Sequence, residues 1–187
     1  MWHVPLIVGI LLTSNISTHI LGTNHYKNRV FEIYDIVHQN TPDLYEFEYV
    51  VDALVFFIGG CFYFLPNGTK VFYEFSGKML LLLLLRSITI FPTLFPKHKN
   101  CCSSSTLSWY QLVRGQCYDK IFSGHMSFTL LGTLYFLREG FITPFSFGLL
   151  NSFAAATIII TRSHYTVDVI LAFIITYFVF NGPYSVF

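Results

Sequence analysis

The chemistry open to this sequence rests on two histidines, one carboxylate and one arginine set at the edges of apolar segments. His164 and Asp168 lie four apart in His164-Tyr-Thr-Val-Asp168, a spacing that puts both on one helical face within side-chain reach. A carboxylate against one ring nitrogen fixes the tautomer and leaves the other nitrogen basic and nucleophilic. Ser123-Gly124-His125 stands where another apolar segment begins. There a serine caps a helix, a glycine lets a ligand approach the backbone, and the exposed helix-start amides attract phosphate. Arg86 follows the run Leu80 to Leu85, where it either snorkels to the lipid headgroups or grips a phosphate bidentately. Each feature alone also has a structural reading: a self-satisfied His/Asp pair, an N-cap with an interfacial histidine, a snorkelling arginine. Taken together at one membrane depth, they point to phosphoryl-group chemistry at a membrane surface.

The elements that must position these groups follow from composition. The chain has 187 residues, 53% hydrophobic and only 11% charged, with a mean hydropathy of +0.56; soluble domains carry about 25% charged residues. This predicts an all-α, polytopic helical bundle embedded in a membrane. At roughly 20 apolar residues per span, the length allows about six. The whole of 1–187 is read as one domain. Its spans are Trp2 to Leu21 (a span rather than a leader), Tyr49 to Leu65, about Phe72 to Phe95, Ile121 to Leu137, Thr143 to Thr161 and Thr166 to Phe180. Residues 23–48 carry charges interleaved with Val30, Phe31, Ile33, Tyr34, Ile36 and Val37, the pattern of an amphipathic interfacial helix. Residues 97–120 read as a loop on the active-site face. A formal net charge of +1 and the lack of a basic run give no case for nucleic acid.

Counting crossings places the 97–120 loop, the Arg162/His164 loop and the 23–48 segment on one face, so both motifs share a compartment. Lys27, Arg29, Lys97, Lys99, Arg114, Lys120 and Arg162 also fall on that face, against Lys70, Lys78 and Arg138 opposite. Read literally, the positive-inside rule turns the motifs towards the cytoplasm. Part of that excess is expected of any site that handles anions. The sequon Asn67-Gly-Thr69 lies on the other face, and a glycan there would fix the motifs as cytoplasmic.

Four stretches, Thr41 to Leu44, Leu85 to Pro96, Cys117 to His125 and His164 to Ala172, resemble the sphingomyelin synthase family, the ceramide phosphotransferase branch of the PAP2 lipid phosphatase superfamily. The resemblance implies that His125, His164 and Asp168 are the catalytic triad, on the lumenal or exoplasmic face of a multi-pass protein of the Golgi or plasma membrane. It implies a glycerophospholipid donor and a ceramide acceptor, with no metal and no cofactor. Arg86, Ser123, Gly124, Lys120, Arg162 and Tyr165 are the phosphate- or headgroup-binding candidates. Choline, ethanolamine and inositol phosphates all suit the same triad. In an oxidising lumen, a disulfide from Cys117 to Cys101 or Cys102 is open.

The phosphatase branch is the first rival. It typically shows Lys-x6-Arg-Pro, Pro-Ser-Gly-His and Ser-Arg-x5-His-x3-Asp. Here Lys78 and Arg86 stand one residue too far apart, Ser87 follows Arg86, Phe122 precedes Ser123, and Arg162 lies two before His164. Other departures touch the synthase pattern: Tyr118 where many relatives have glycine, Lys120 within the motif, and Met126 after His125. A two-histidine, one-carboxylate metal site and a non-enzymatic membrane scaffold are the remaining alternatives. The nearby arginines suit an oxyanion better than a cation.

Overall fold

The computed structural model describes residues 3–26, 33–90, 93–96, 118 and 120–183. Among these the chain is all-helical. Six long helices alternate in direction: α1 (His3–Tyr26), α3 (Tyr49–Cys61), α4 (Gly68–Ile90), α5 (Gly124–Arg138), α6 (Pro144–Ile160) and α7 (Thr166–Asn181), with a short α2 (Ile36–Asn40) before α3. They occupy the six apolar segments read from the sequence. α1 and α4 run parallel, because His3 faces Ser76 while Ser14 hydrogen bonds to Ser87 at 2.8 Å, an unchanging offset along both helices.

The boundaries follow local chemistry. Thr143 caps α6 by accepting the Ser146 N–H, and Pro144 occupies the first turn, where its missing N–H costs nothing. α3 runs into a 3-10 turn, Phe62–Phe64. Asn67 then turns the chain into α4 with a left-handed φ of 58°, a conformation asparagine tolerates. α4 is described as helix to Ile90, and residues 93–96 are not helical, so it stops short of the expected Phe95. The 23–48 segment also differs from the expected single amphipathic helix. α1 extends through its start to Tyr26, and Asp35 is an extended N-cap for the five residues of α2. The 97–120 loop lies outside the described residues except for Tyr118 and Lys120, as do Cys101, Cys102 and Cys117.

Packing centres on α5, which is buried along most of its length. A β-carbon on Gly132 would lie 2.5 Å from the Ile58 side chain, so glycine lets α3 and α5 cross closely. Phe62, Phe75 and Phe136 pack around this crossing, with ring centroids 4.8 and 4.9 Å from Phe62. Asn151 donates to the Thr133 hydroxyl at 2.9 Å, joining α6 to α5. Outward-facing aromatics are abundant: Phe56 is 76% exposed and Phe178 70%. Two stretches, His3–His25 and Tyr45–Phe64, are long and apolar enough to cross a bilayer, with mean hydropathies of 1.7 and 1.6.

Candidate active site

The ends of α4 and α6 and the starts of α3, α5 and α7 meet at one end of the bundle. Two tight turns shape the site there, and each contains a non-glycine residue in the left-handed region, Phe122 and Arg162, both at φ 58°. Such backbone costs roughly 1–3 kcal/mol per residue and persists where its surroundings hold it. The Phe122 carbonyl accepts a 3.0 Å hydrogen bond from Arg86 Nε, which anchors the guanidinium beside the start of α5. Gly124 follows in the same turn, and a β-carbon there would sit 3.6 Å from Arg86 Nε. Ser123 is fully buried and caps α5, its hydroxyl accepting the Met126 N–H at 3.2 Å. The amides of Gly124 and His125, in the first turn, are left without intrahelical acceptors.

His164 is buried in the second turn. Its Nδ1–H donates to the Lys120 carbonyl at 2.6 Å, which fixes the tautomer and leaves Nε2 with its lone pair. Asp168 Oδ2 stands 3.9 Å from the same nitrogen, beyond hydrogen-bond range. The tautomer-setting bond read from the His164/Asp168 spacing is therefore made by a backbone carbonyl instead. Asp168 is the third residue of α7, and its Oδ2 accepts the Tyr165 N–H at 3.1 Å, closing the helix start. Burial, followed by the Lys120 charge, pushes the His164 imidazole well below the ordinary histidine value of 6.5. It is neutral at physiological pH.

His125 lies across from it, with ring centroids 6.4 Å apart and planes at 61°. His125 Nε2 is 3.0 Å from Asp52 Oδ1, in the first turn of α3. Asp52 was not among the sequence candidates. The signal that could have found it is an acidic residue inside an otherwise apolar span, which is costly unless partnered or functional.

The remaining candidates divide. Arg86, Gly124 and His125 line one cavity together with Asp52. Lys120 and Arg162 are buried and turned into backbone. Lys120 Nζ donates to the carbonyls of Arg162 and Ser163, at 3.1 and 2.7 Å. Arg162 Nη2 donates to the carbonyls of His38 and Thr41, both at 2.7 Å, and Nη1 to the Thr41 hydroxyl at 3.0 Å. Both hold the His164 turn in shape, and neither lines the cavity. Tyr165 packs its ring between His38 and Phe95, at 5.3 and 5.5 Å.

The 35–41 strap around that turn was not foreseen either. Asp35 accepts the Thr166 N–H at 2.7 Å and its hydroxyl at 2.9 Å. Burial pushes the Asp35 carboxyl up, but hydrogen bonds from Thr166 and His38 outweigh it and hold the group below its usual value. His38 Nε2–H donates to the His164 carbonyl at 3.2 Å. Among the described residues no cluster of three or more histidine, cysteine or acidic side chains is arranged to hold a metal ion.

Two neighbouring histidines, His125 against the Asp52 carboxylate and His164 against the Lys120 carbonyl, thus stand beside an arginine and a helix start. Over residues 116–185 the chain matches the family described as PAP2 superfamily C-terminal. The match spans both motifs and supports a place in the PAP2 superfamily, and with it a lipid enzyme of the phosphatase or phosphotransferase type. Comparison with curated proteins finds no match.

Proposed function

We propose that this protein is a membrane-integral lipid phosphotransferase that moves a phospho-headgroup from a glycerophospholipid to ceramide, releasing diacylglycerol. The observation that carries the reading is the pair of neighbouring imidazoles, His164 neutral with its Nε2 lone pair available and His125 backed by Asp52, beside Arg86 and the start of α5.

In the first half-reaction His164 Nε2 attacks the headgroup phosphorus, and the bond from phosphorus to the diacylglycerol oxygen breaks. His125, its ring held by the Asp52 carboxylate, gives its proton to that departing oxygen. Because Nε2 of His125 is engaged with Asp52, Nδ1 is the nitrogen that gives and takes the proton. Diacylglycerol leaves and ceramide enters. His125 then removes the proton from the ceramide primary hydroxyl, whose oxygen attacks phosphorus as the bond to His164 breaks. Arg86 and the amides of Gly124 and His125 meet the charge that grows on the phosphoryl oxygens. Asp168, Lys120, Arg162 and Tyr165 act through the shape of the His164 turn. The lipid substrates call for a bilayer setting. Two long apolar helices and the many exposed aromatic side chains support it, and we assign the active end to the lumenal or exoplasmic side of the Golgi or plasma membrane from the family resemblance.

The test is purified protein in nanodiscs holding a glycerophospholipid with labelled headgroup phosphorus, with and without ceramide, products resolved by mass. The expected result is a ceramide-linked phospholipid and an equal amount of diacylglycerol, only when ceramide is present. Label appearing solely in a water-soluble phosphate, with ceramide ignored, would replace this reading with that of a phosphatase.

A further inference from the structure

The cavity that ends at Arg86 and His125 continues far beyond them. It is a half-open cavity of about 410 Å³ between α1, α3, α4 and α5, and apart from its polar end it is lined almost wholly by apolar side chains. On α4 its lining descends from Arg86 through Met79 to Phe72 at helical spacing. At 1.5 Å per residue, those 14 positions span roughly 21 Å. A leaflet of hydrocarbon is roughly 15 Å deep, half of the bilayer core, so the cavity is long enough to hold one extended acyl chain with its headgroup at the catalytic end.

The far end is closed in a definite way. A second cavity, also of about 410 Å³, lies beyond it towards Thr69 and Lys70, and the two share Val4, Phe72 and Ser76 as common wall. Phe72 is braced there by neighbouring rings, 5.5 Å from Phe62 and stacked on Phe75 at 5.9 Å. Ser76 donates its hydroxyl to the Tyr73 carbonyl at 2.8 Å, which masks much of its polarity.

We infer that this cavity takes one acyl chain of the phosphate-bearing lipid, and that Phe72, with Val4 opposite, is the floor that sets the chain length accepted. The inference rests on the proposed function only in placing a lipid phosphate at Arg86 and His125. Removing the Phe72 ring joins the two cavities and admits a longer chain; enlarging it raises the floor.

The experiment offers the full-length protein an equimolar mixture of phospholipids with one headgroup and chains of graded length. It compares wild type with Phe72→Ala and Phe72→Trp, each also combined with His164→Ala so that bound lipid is weighed by native mass spectrometry without turnover. Phe72→Ala is expected to shift retained and consumed lipid towards longer chains, by up to about fourfold for each methylene newly buried. Phe72→Trp is expected to shift both the other way. A shift in bound lipid without any turnover in wild type upholds the chain slot and overturns the phosphotransferase reading. An unchanged chain-length profile in both variants, with binding or turnover intact, overturns the slot; so does a protein that retains no phospholipid at all.

Discussion

In the proposed reaction His164 depends on one hydrogen bond and on burial, neither of which a motif can show. Nδ1–H is committed to the Lys120 carbonyl, and burial keeps the ring uncharged. Replacing His164 by alanine removes the nucleophile, with an expected loss of roughly 10³-fold or more in turnover and an unchanged helical circular dichroism spectrum. The lowered pKa also sets the acid response. Below 6.5 the unfolded chain takes up a proton that the folded site refuses, so stability falls as pH drops through and below that value. Activity limited by His164 should therefore hold from neutrality down past 6.5 and fail only further into acid, together with loss of the fold in thermal melts. Asp52→Asn keeps the shape beside His125 but removes the negative charge of the group that holds its ring. About a 10²-fold drop in kcat is expected, with little change in KM; an unaltered kcat would reduce Asp52 to a packing role. The histidines were legible because their motifs are local. Asp52 was not, since its partner lies 73 positions away. Arg162 and Lys120 were read as anion binders because a charge near a site looks alike in sequence whether it meets a phosphate or a backbone carbonyl.

The helices stood out in the sequence because apolar runs and caps are written locally. Their closest approach was not. Gly132 read as one more small residue in an apolar span, yet α5 meets α3 there with no room for a β-carbon. Gly132→Ala should therefore cost about 1–3 kcal/mol through overpacking. Trimming the opposing residue with Ile58→Ala in the same chain should recover part of the loss, as read from thermal melts in detergent; simple additivity of the two costs would remove the close crossing as the cause. The 23–48 segment shows the reverse failure. Its alternating charges and apolar residues mimic an amphipathic helix, but Asp35 spends its carboxylate on the start of α7 and Arg162 on the strap that follows. Among the described residues 33–41, those tertiary hydrogen bonds go with an extended N-cap at Asp35 and the short α2, and they brace the loop that carries His164.

At the scale of the molecule, alternating helices gather Arg86, Asp52, His125 and His164 at one end and leave Asn67 at the other. With the active end lumenal, Asn67 faces the cytoplasm. It should carry no glycan in secretory cells, whereas a sequon introduced within 97–117 should be modified; the opposite pattern, read as glycosidase-sensitive mobility shifts, would turn the molecule over. The reaction places one demand that a phosphate-binding scaffold does not meet, namely that phosphorus become bonded to His164 in the course of turnover. The most direct measurement is therefore mass spectrometry of the protein quenched under neutral conditions during turnover of a donor phospholipid. An adduct of the phospho-headgroup is predicted on the peptide bearing His164, absent from His164→Ala and discharged when ceramide is added. Turnover at full rate in His164→Ala, or an adduct that ceramide and water both leave untouched, would contradict the account.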